Sequence, residues 1–271
     1  MDSLELRAGE RAVPLDAVLR LEAHLAADLP DSLSATLSPA AAAAAALRPG
    51  DEVKLLAGGR TLFRGRLEEI TASLGVGIRS GATFTARPDW VARARALPDE
   101  EYREVTDSEA AARLADALGL SARIDPTAEV HRRLARRGDL LGFLLRRGRA
   151  SGRAAGIASG TLYFASALPG GRFGDLGPGP RVRSLRVTAG ARGRRGSLSV
   201  LGILDLSPLD RIFLRGFDRE ADGLYRVTRA RTVWGGGRVF LEARFVENDD
   251  DLGLEEDDSV ADAGTRPEAA S

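Results

Sequence analysis

The chain contains no cysteine, which excludes disulfides, thiolate metal sites and cysteine nucleophiles. Aromatic residues make up only 5% of the sequence, and Lys54 is the only lysine beside many arginines, a bias typical of a GC-rich bacterial genome. No apolar run approaches the roughly 18 residues that a membrane-spanning helix needs. The first residues, MDSLELRAGERAVPL, lack the apolar core of a secretory leader. We therefore expect synthesis in a bacterial cytoplasm and no membrane partner.

Residues suited to catalysis or metal binding are equally scarce. The two histidines, His24 and His131, both fall in predicted strands, and neither has a second histidine or a carboxylate cluster at metal-ligand spacing. The serines lack a G-x-S-x-G elbow. The adjacent carboxylates of PDEEYRE (98–104) favour a solvated loop over a glycosidase pair. The sequence thus predicts structural histidines, no catalytic residue, no metal, no cofactor and no enzymatic activity.

The net charge is zero, but the charges are unevenly distributed. Residues 131–195 contain 15 arginines against two acids, whereas residues 247–271 contain ten acids against one arginine. One interpretation is a solvated arginine surface followed by a disordered acidic tail. The other is that each segment has an electrostatic partner. On that second interpretation the candidate interface residues of the tail are Asp249, Asp250, Asp251, Glu255, Glu256, Asp257 and Asp258.

The apolar pattern divides the chain into three segments and the tail. Residues 1–95 alternate apolar and polar side chains and predict β-strands, interrupted by one short helix that Ser38 caps and Pro39 begins. Residues 96–168 predict an α/β module. In it, Thr106 and Glu109 have the spacing of a capping box, and a second helix runs from residue 139 to 149. A glycine- and proline-rich connector (168–180) follows, and residues 181–246 contain five strand candidates.

The stretch GDEVKLLAGGRTLFRGRLEEI (50–70) resembles both a phosphate-binding loop and a β-hairpin. A phosphate loop leads directly into a helix N-terminus, whereas this one leads into a strand, so its glycines are expected to shape a sheet. A weak copy of the stretch occurs at 209–227. Val53 aligns with Ile212, Gly65 with Gly223, and the later Ala86-Arg87 with Ala243-Arg244. This repeat predicts two related small antiparallel barrels.

The order of these segments resembles a known family. The residues that carry the resemblance are LRPGDEVKLL…LFRGRLEEI, the run from VTDSEAAARLADALGL to GTLYFA, and GLYRVTRARTVWGGGRVFLEARF. Together they are similar to the phage late-control protein D family, the baseplate hub proteins of contractile tails. The hub half of type VI secretion spike proteins and the hubs of contractile injection systems belong to the same group. The match covers about residues 15–246.

The resemblance implies a mostly β fold with an inserted α/β module. Its divisions are a first β-barrel (1–95), the module (96–168), a second β-barrel (169–247) and an acidic tail (248–271). It further implies a homotrimer whose six barrels form a pseudo-six-fold ring, adapting a three-fold spike to a six-fold tube. The implied partners are further copies of the chain, a spike protein, an inner-tube or tube-initiator protein and other baseplate components.

Nucleic-acid binding is the alternative function. The arginine-rich segment 131–195 could follow phosphates, and small barrels bind single strands. The stacking aromatics that such proteins use are scarce, and Tyr163, Phe164 and Phe173 of this segment show no interleaved pattern with its arginines. The hub interpretation predicts a stable trimer, whereas the alternative predicts salt-dependent affinity for oligonucleotides.

Overall fold

A computed structural model describes residues 4–9, 11–73, 81–168, 173–190, 193–202 and 206–247 of the chain. The fold is mostly β with an α/β module in the middle, which confirms the predicted fold class. In the described part of the chain, no helix is both long and apolar enough to cross a membrane. The candidate interface residues of the acidic tail, Asp249 to Asp258, lie outside the described residues.

The first part of the chain supplies seven strands and two helices. A short 3-10 helix lies at Leu15–Ala17. The longer strands follow the alternating apolar pattern of the sequence. The strands are β1 (Leu4–Ala8), β2 (Arg11–Val13), β3 (Val18–Ala26), β4 (Ser32–Leu37), β5 (Glu52–Ala57), β6 (Arg60–Ser73) and β7 (Gly81–Arg87). The helices are α1 (Pro39–Ala45) and α2 (Asp89–Ala96).

The module and the last part of the chain contain the remaining elements. The module consists of β8 (Glu100–Thr106), α3 (Asp107–Leu118), β9 (Ser121–Ile124), β10 (Val130–Arg136), α4 (Leu140–Ala150), β11 (Ala154–Ala158) and β12 (Thr161–Ala165). The last part consists of β13 (Phe173–Leu176), β14 (Val182–Gly190), β15 (Gly193–Leu201), β16 (Arg211–Leu214), β17 (Gly223–Gly235) and β18 (Arg238–Val246).

The helix boundaries in the module agree with the predicted caps. The hydroxyl of Thr106 accepts a hydrogen bond from the backbone N–H of Glu109, whose carboxylate accepts one from the N–H of Thr106. This reciprocal pair satisfies two of the donors that a helix start leaves unpaired. The carboxylate of Asp139 caps α4 by accepting hydrogen bonds from the N–H groups of Leu141 and Gly142, and Gly119 ends α3 in the left-handed conformation.

Two stretches that were predicted to be irregular form strands. The acidic stretch 98–104 contains β8, which pairs antiparallel with β10, so the prediction of a solvated loop was wrong. Tyr102 and Val105 of β8 are buried, but the charged residues around them hide the strand in the sequence. The connector contains β13, which pairs parallel with β16. A further strand predicted before Ser80 lies outside the described residues.

One sheet runs through both β parts of the protein. Its strand order is β14-β15-β18-β17-β3-β4-β7-β6-β5-β1-β2, and β17 also pairs with β16, which pairs with β13. The first part therefore has the order β3-β4-β7-β6-β5-β1, and the last part has the order β14-β15-β18-β17-β16-β13. The strands correspond one to one along the chain. The sole reversal is in the last pair, where β1 lies antiparallel to β5 but β13 lies parallel to β16.

Two β-bulges occur at equivalent places in the two copies. The β6–β7 register shifts at Glu68, and the β17–β18 register shifts at Thr228. The β3–β4 register shifts at Leu19, and the β14–β15 register shifts at Arg183. A bulge inserts one residue and re-aims the strand, so matching bulges fix the residue-level alignment of the copies. We call residues 4–87 copy A and residues 173–246 copy B.

This alignment corrects part of the predicted repeat. Val53 does correspond to Ile212, but its partner Gly65 then corresponds to Tyr225, the partner of Ile212. Gly223 lies two residues earlier, so aligning it with Gly65 was wrong. In the same alignment Ala86 corresponds to Phe245 and not to Ala243. The strands were matched correctly, but the choice of glycine as the anchor was not.

A shared backbone corner supports the corrected alignment. In copy A, Leu67 donates to the carbonyl of Asp51 and accepts from the N–H of Gly50; in copy B, Val227 makes the same two bonds with Asp210 and Leu209. Gly50 has a φ of 93°, and Leu209 has a φ of 75°. The corner requires the left-handed region, which glycine occupies freely and which leucine rarely adopts.

Each part of the chain has its own hydrophobic core. The core of copy A includes Leu21, Leu33, Leu55 and Phe84, and the core of copy B includes Leu214, Val227 and Phe245. The module core is formed by side chains from α2, α3, α4 and strands β8, β10, β11 and β12. Helix α2 lies in the predicted first barrel but contributes Trp90 and Val91 to the module core. The predicted domain division otherwise stays a prediction.

We expect Thr106→Ala to reduce the free energy of unfolding by about 1 kcal/mol, because it removes the N-cap of α3. The measurement is urea denaturation followed by circular dichroism. Thr61→Ala, at an exposed position of β6, is the control and should change stability little. Equal stability of the Thr106 variant and the wild type would contradict a structural role for this cap.

Candidate assembly surfaces

Copy A and copy B are joined by antiparallel pairing of β3 with β17. The register runs from Ala26 opposite Arg229 to Arg20 opposite Gly235. Two strands therefore pair with the same edge of β17. The first residues of β17 pair with β16, and its later residues pair with β3. The core of copy A accordingly includes Val239 of β18.

Two ion-pair groups flank this junction. The guanidinium of Arg229 binds the carboxylate of Asp28 through both oxygens, at 3.2 Å from Nε to Oδ1 and 2.7 Å from Nη2 to Oδ2. Arg231 bridges Glu22 of β3 (Nη2–Oε2 3.1 Å) and Glu242 of β18 (Nη1–Oε2 2.9 Å). A bidentate guanidinium–carboxylate pair fixes geometry as well as charge. These side chains therefore set the register between the copies.

Glu22 is the most perturbed member of this group. Burial raises its pKa, but hydrogen bonds from Arg20, Arg231 and His24 outweigh that effect and lower it to about 2. His24, which was predicted to be structural, is half exposed and lies 3.3 Å from a Glu22 oxygen. In the sequence this network corresponds to the alternating arginines of RVTRARTVW on β17.

The module docks at the corner that follows β3. The N–H of Ile157 on β11 donates to the carbonyl of Ala27 (2.9 Å), and the N–H of Ala27 donates to the carbonyl of Thr228 (3.3 Å). Ala27, Ala158, Leu168 and Leu209 form a small buried cluster here. Copy A, copy B and the module therefore meet at one residue, Ala27.

His131 belongs to a buried charge cluster inside the module. Its Nε2 lies 3.2 Å from Oδ1 of Asp107 and 2.9 Å from Nη2 of Arg147. Arg147 also donates to both oxygens of Asp107, at 2.5 Å and 2.9 Å. Asp107 begins α3, Arg147 lies in α4 and His131 lies in β10, so the cluster ties three elements together. The buried carboxylate of Asp107 is thus paired with two side chains of the module, which gives His131 a structural role.

Much of the arginine-rich segment is engaged within the protein. Arg136 is buried and donates to the carbonyl of Pro98, Arg153 donates to the carbonyl of Pro126, and Arg133 pairs with Glu101. Arg194 donates to the Glu247 carboxylate and to the carbonyls of Glu220 and Asp222. The arginines that point outward on β14 are Arg183 and Arg186. Arg136, Arg153 and Arg194 are therefore committed to contacts within the protein.

Features typical of a small-molecule site are weak in the described residues. There is no group of three His, Asp or Glu side chains able to hold a metal ion among them. One open depression of about 320 Å³ lies on the outer face of β4, β7 and β6. Its lining includes Ser34, Thr85 and the charged side chains of Glu68, Glu69, Arg87 and Arg95. Such a polar, open surface differs from the enclosed apolar pockets that bind small molecules.

Comparison with solved structures places this fold among tail proteins. A 43 kDa tail protein of prophage MuSo2 from Shewanella oneidensis matches with a TM-score of 0.66 at 11% identity, covering 93% of this chain and 98% of the other. A tail protein from Neisseria meningitidis matches with a TM-score of 0.66 at 11% identity, covering 93% and 97%.

A third similar structure comes from a secretion system. The E. coli c3393 protein, a component of the type VI secretion system that resembles the T4 tail proteins gp27 and gp5, matches with a TM-score of 0.65 at 13% identity, covering 91% of this chain and 77% of the other. No family model and no curated protein matches the sequence. The chain has the fold of phage tail and tail-like proteins, and at these identities the likeness concerns the fold alone.

The lowered pKa of Glu22 predicts acid sensitivity of the junction. A carboxylate whose pKa is lower in the folded state contributes stability above its unfolded value of 4.5, and this contribution is lost as the pH falls toward 2. We therefore expect Glu22→Gln to be less stable than the wild type at pH 7, with the difference shrinking below pH 4.5. Urea denaturation across pH 2.5–7 measures this, and a difference independent of pH would contradict it.

The docking of the module predicts that Gly156 tolerates no side chain. A Cβ at this position would lie 2.5 Å from the carbonyl oxygen of Ala27, whereas a Cβ on Gly235 would meet nothing within 4 Å. Overpacking of this kind costs about 1–3 kcal/mol. We expect Gly156→Ala to lower the melting temperature and Gly235→Ala to leave it nearly unchanged. Equal melting temperatures would show that β11 does not pack closely against Ala27.

Proposed function

We propose that the chain is a structural hub protein of a contractile phage tail or of a related injection system. Three chains form a ring in which copy A and copy B alternate, giving six similar β units around a three-fold axis. The ring adapts a three-fold spike to a six-fold inner tube. Its partners are further copies of the same chain, a spike protein, a tube or tube-initiator protein and other baseplate components.

The observation that carries the proposal is the internal duplication. Copy A and copy B share their strand order, two bulges and a left-handed corner, although their sequences have diverged. A duplicated unit lets a trimer present six similar positions, which a tube of six-fold symmetry can match. The tail-protein fold supports the same assignment. The proposal involves no enzymatic step and no cofactor.

The mass of the protein in solution tests this proposal. Light scattering is expected to give about three times the chain mass of 28.7 kDa. An oligonucleotide shift assay at low and high salt tests the nucleic-acid alternative, and we expect no salt-dependent shift. A monomer at all accessible concentrations would contradict the hub assignment. A salt-dependent shift by a monomer would favour the alternative.

A further inference from the structure

The junction between the two copies within one chain has an unfilled counterpart. In copy B, the edge of β17 that carries β16 continues from Arg229 to Gly235, and β3 pairs along that continuation. In copy A, β6 corresponds to β17 and pairs with β5 only as far as Arg66. No described strand pairs with the same edge of β6 from Glu69 to Ser73.

A matching free edge is formed by β14, the strand at one end of the sheet. Strand β14 corresponds to β3, because both pair with the next strand across a bulge at the equivalent residue. Strand β3 has neighbours on both sides, β4 and β17. In the described part of the chain, β14 pairs with β15 alone, and its outer edge is open. Each molecule therefore carries one half of the β17–β3 junction at each of two free edges.

Open edges of this length readily pair with another chain, because their backbone N–H and C=O groups lack partners in the sheet. Evolved monomers usually protect such edges with proline, with a bulge or with a very short strand. The free stretch of β6 contains none of these devices, and β14 is nine residues long with its bulge near the first end. The edges are thus suited to pairing.

The internal alignment specifies the register of that pairing. The bulges equate Glu69 with Arg229 and Thr71 with Arg231, and they equate Arg186 with Glu22 and Thr188 with His24. Arg231 lies opposite His24 within one chain. Transferring that contact to the free edges places Thr71 of one molecule opposite Thr188 of the next.

We propose that β6 of one molecule pairs antiparallel with β14 of the next molecule, in the same register as the β17–β3 junction within the chain. This inference rests on the proposed function and specifies how its subunits join. The predicted opposite pairs are Glu69 with Gly190, Ile70 with Ala189, Thr71 with Thr188, Ala72 with Val187 and Ser73 with Arg186.

The burial of equivalent side chains on β17 and β6 agrees with pairing of β6 to a second molecule. Thr228, Ala230 and Thr232 of β17 are buried, whereas the equivalent Glu68 and Ala72 of β6 are exposed and Ile70 is half-buried. The difference is expected when β17 has its neighbouring unit in place and β6 has not. On β14, Leu185 and Val187 are likewise only half-buried.

The two free edges belong to different strands of the molecule, as β17 and β3 do at the junction within the chain. The contact is heterologous, so a suitable rotation closes it into a ring.

Disulfide cross-linking tests the register, because the natural chain contains no cysteine. The test variants are Thr71→Cys with Thr188→Cys, and Ala72→Cys with Val187→Cys. Adjacent pairs are used because hydrogen-bonded and non-hydrogen-bonded positions alternate along an antiparallel ladder. The control is Thr71→Cys with Ser184→Cys, whose sulfurs would be about 13 Å out of register. Products are resolved on denaturing gels with and without reductant.

We expect reductant-sensitive trimers from at least one of the two test variants and at least tenfold less from the control. Trimers in light scattering without cross-linking of either test variant would overturn the edge pairing while leaving the proposed function intact. Cross-linked products longer than a trimer would support the pairing but contradict three-fold closure. Monomers throughout, with no cross-link, would contradict the pairing and the proposed function together.

Discussion

The antiparallel pairing of β3 with β17 is the interaction on which the rest of the structure depends. It joins residues about 200 positions apart in the chain and turns two β parts into one sheet. Non-local pairing of this kind loses loop entropy before it gains contacts, so it needs specific side-chain support. Asp28 with Arg229 and Glu22 with Arg231 provide that support, and Ala27 connects the same place to the module.

The duplication explains why the β3–β17 junction lies on an extension of a long strand. Each copy builds the same six-stranded arrangement, and in each copy the bulged long strand extends beyond its first partner. One extension is covered within the chain, and its equivalent is not. The divergence of the copies is equally informative, since Leu209 occupies a left-handed corner that Gly50 occupies in the other copy. The two copies share this backbone corner although the residues that occupy it differ.

Local signals predicted much of the fold. Ser38, Thr106, Glu109 and Asp139 marked helix starts correctly, and alternation located the five strands β14 to β18. Strand β8 was missed because its buried Tyr102 and Val105 are separated by charged residues that alone suggest a loop. The repeat was recognised, but its residue alignment failed because it matched Gly65 with Gly223, whereas the strand register equates Gly65 with Tyr225.

The candidate assembly surfaces were beyond sequence reasoning for a different reason. Nothing local indicates that the carboxylates following or within β3 meet the arginines of β17, because a junction depends on which strand edges remain open after folding. The acidic tail differs from the rest of the chain in composition, whereas Glu22 and Arg229 belong to ordinary alternating strands. Edge pairing is a property of the whole sheet, so it could be inferred only from the strand order and the register.

The central claim is that two equivalent β units per chain alternate around a three-fold ring. Electron cryomicroscopy of the purified protein tests this claim most directly. We expect end-on class averages with six similar lobes around a central opening, and a map with three-fold symmetry in which copies A and B alternate. Averages that show an isolated two-unit particle, or a closed two-fold dimer, would contradict it.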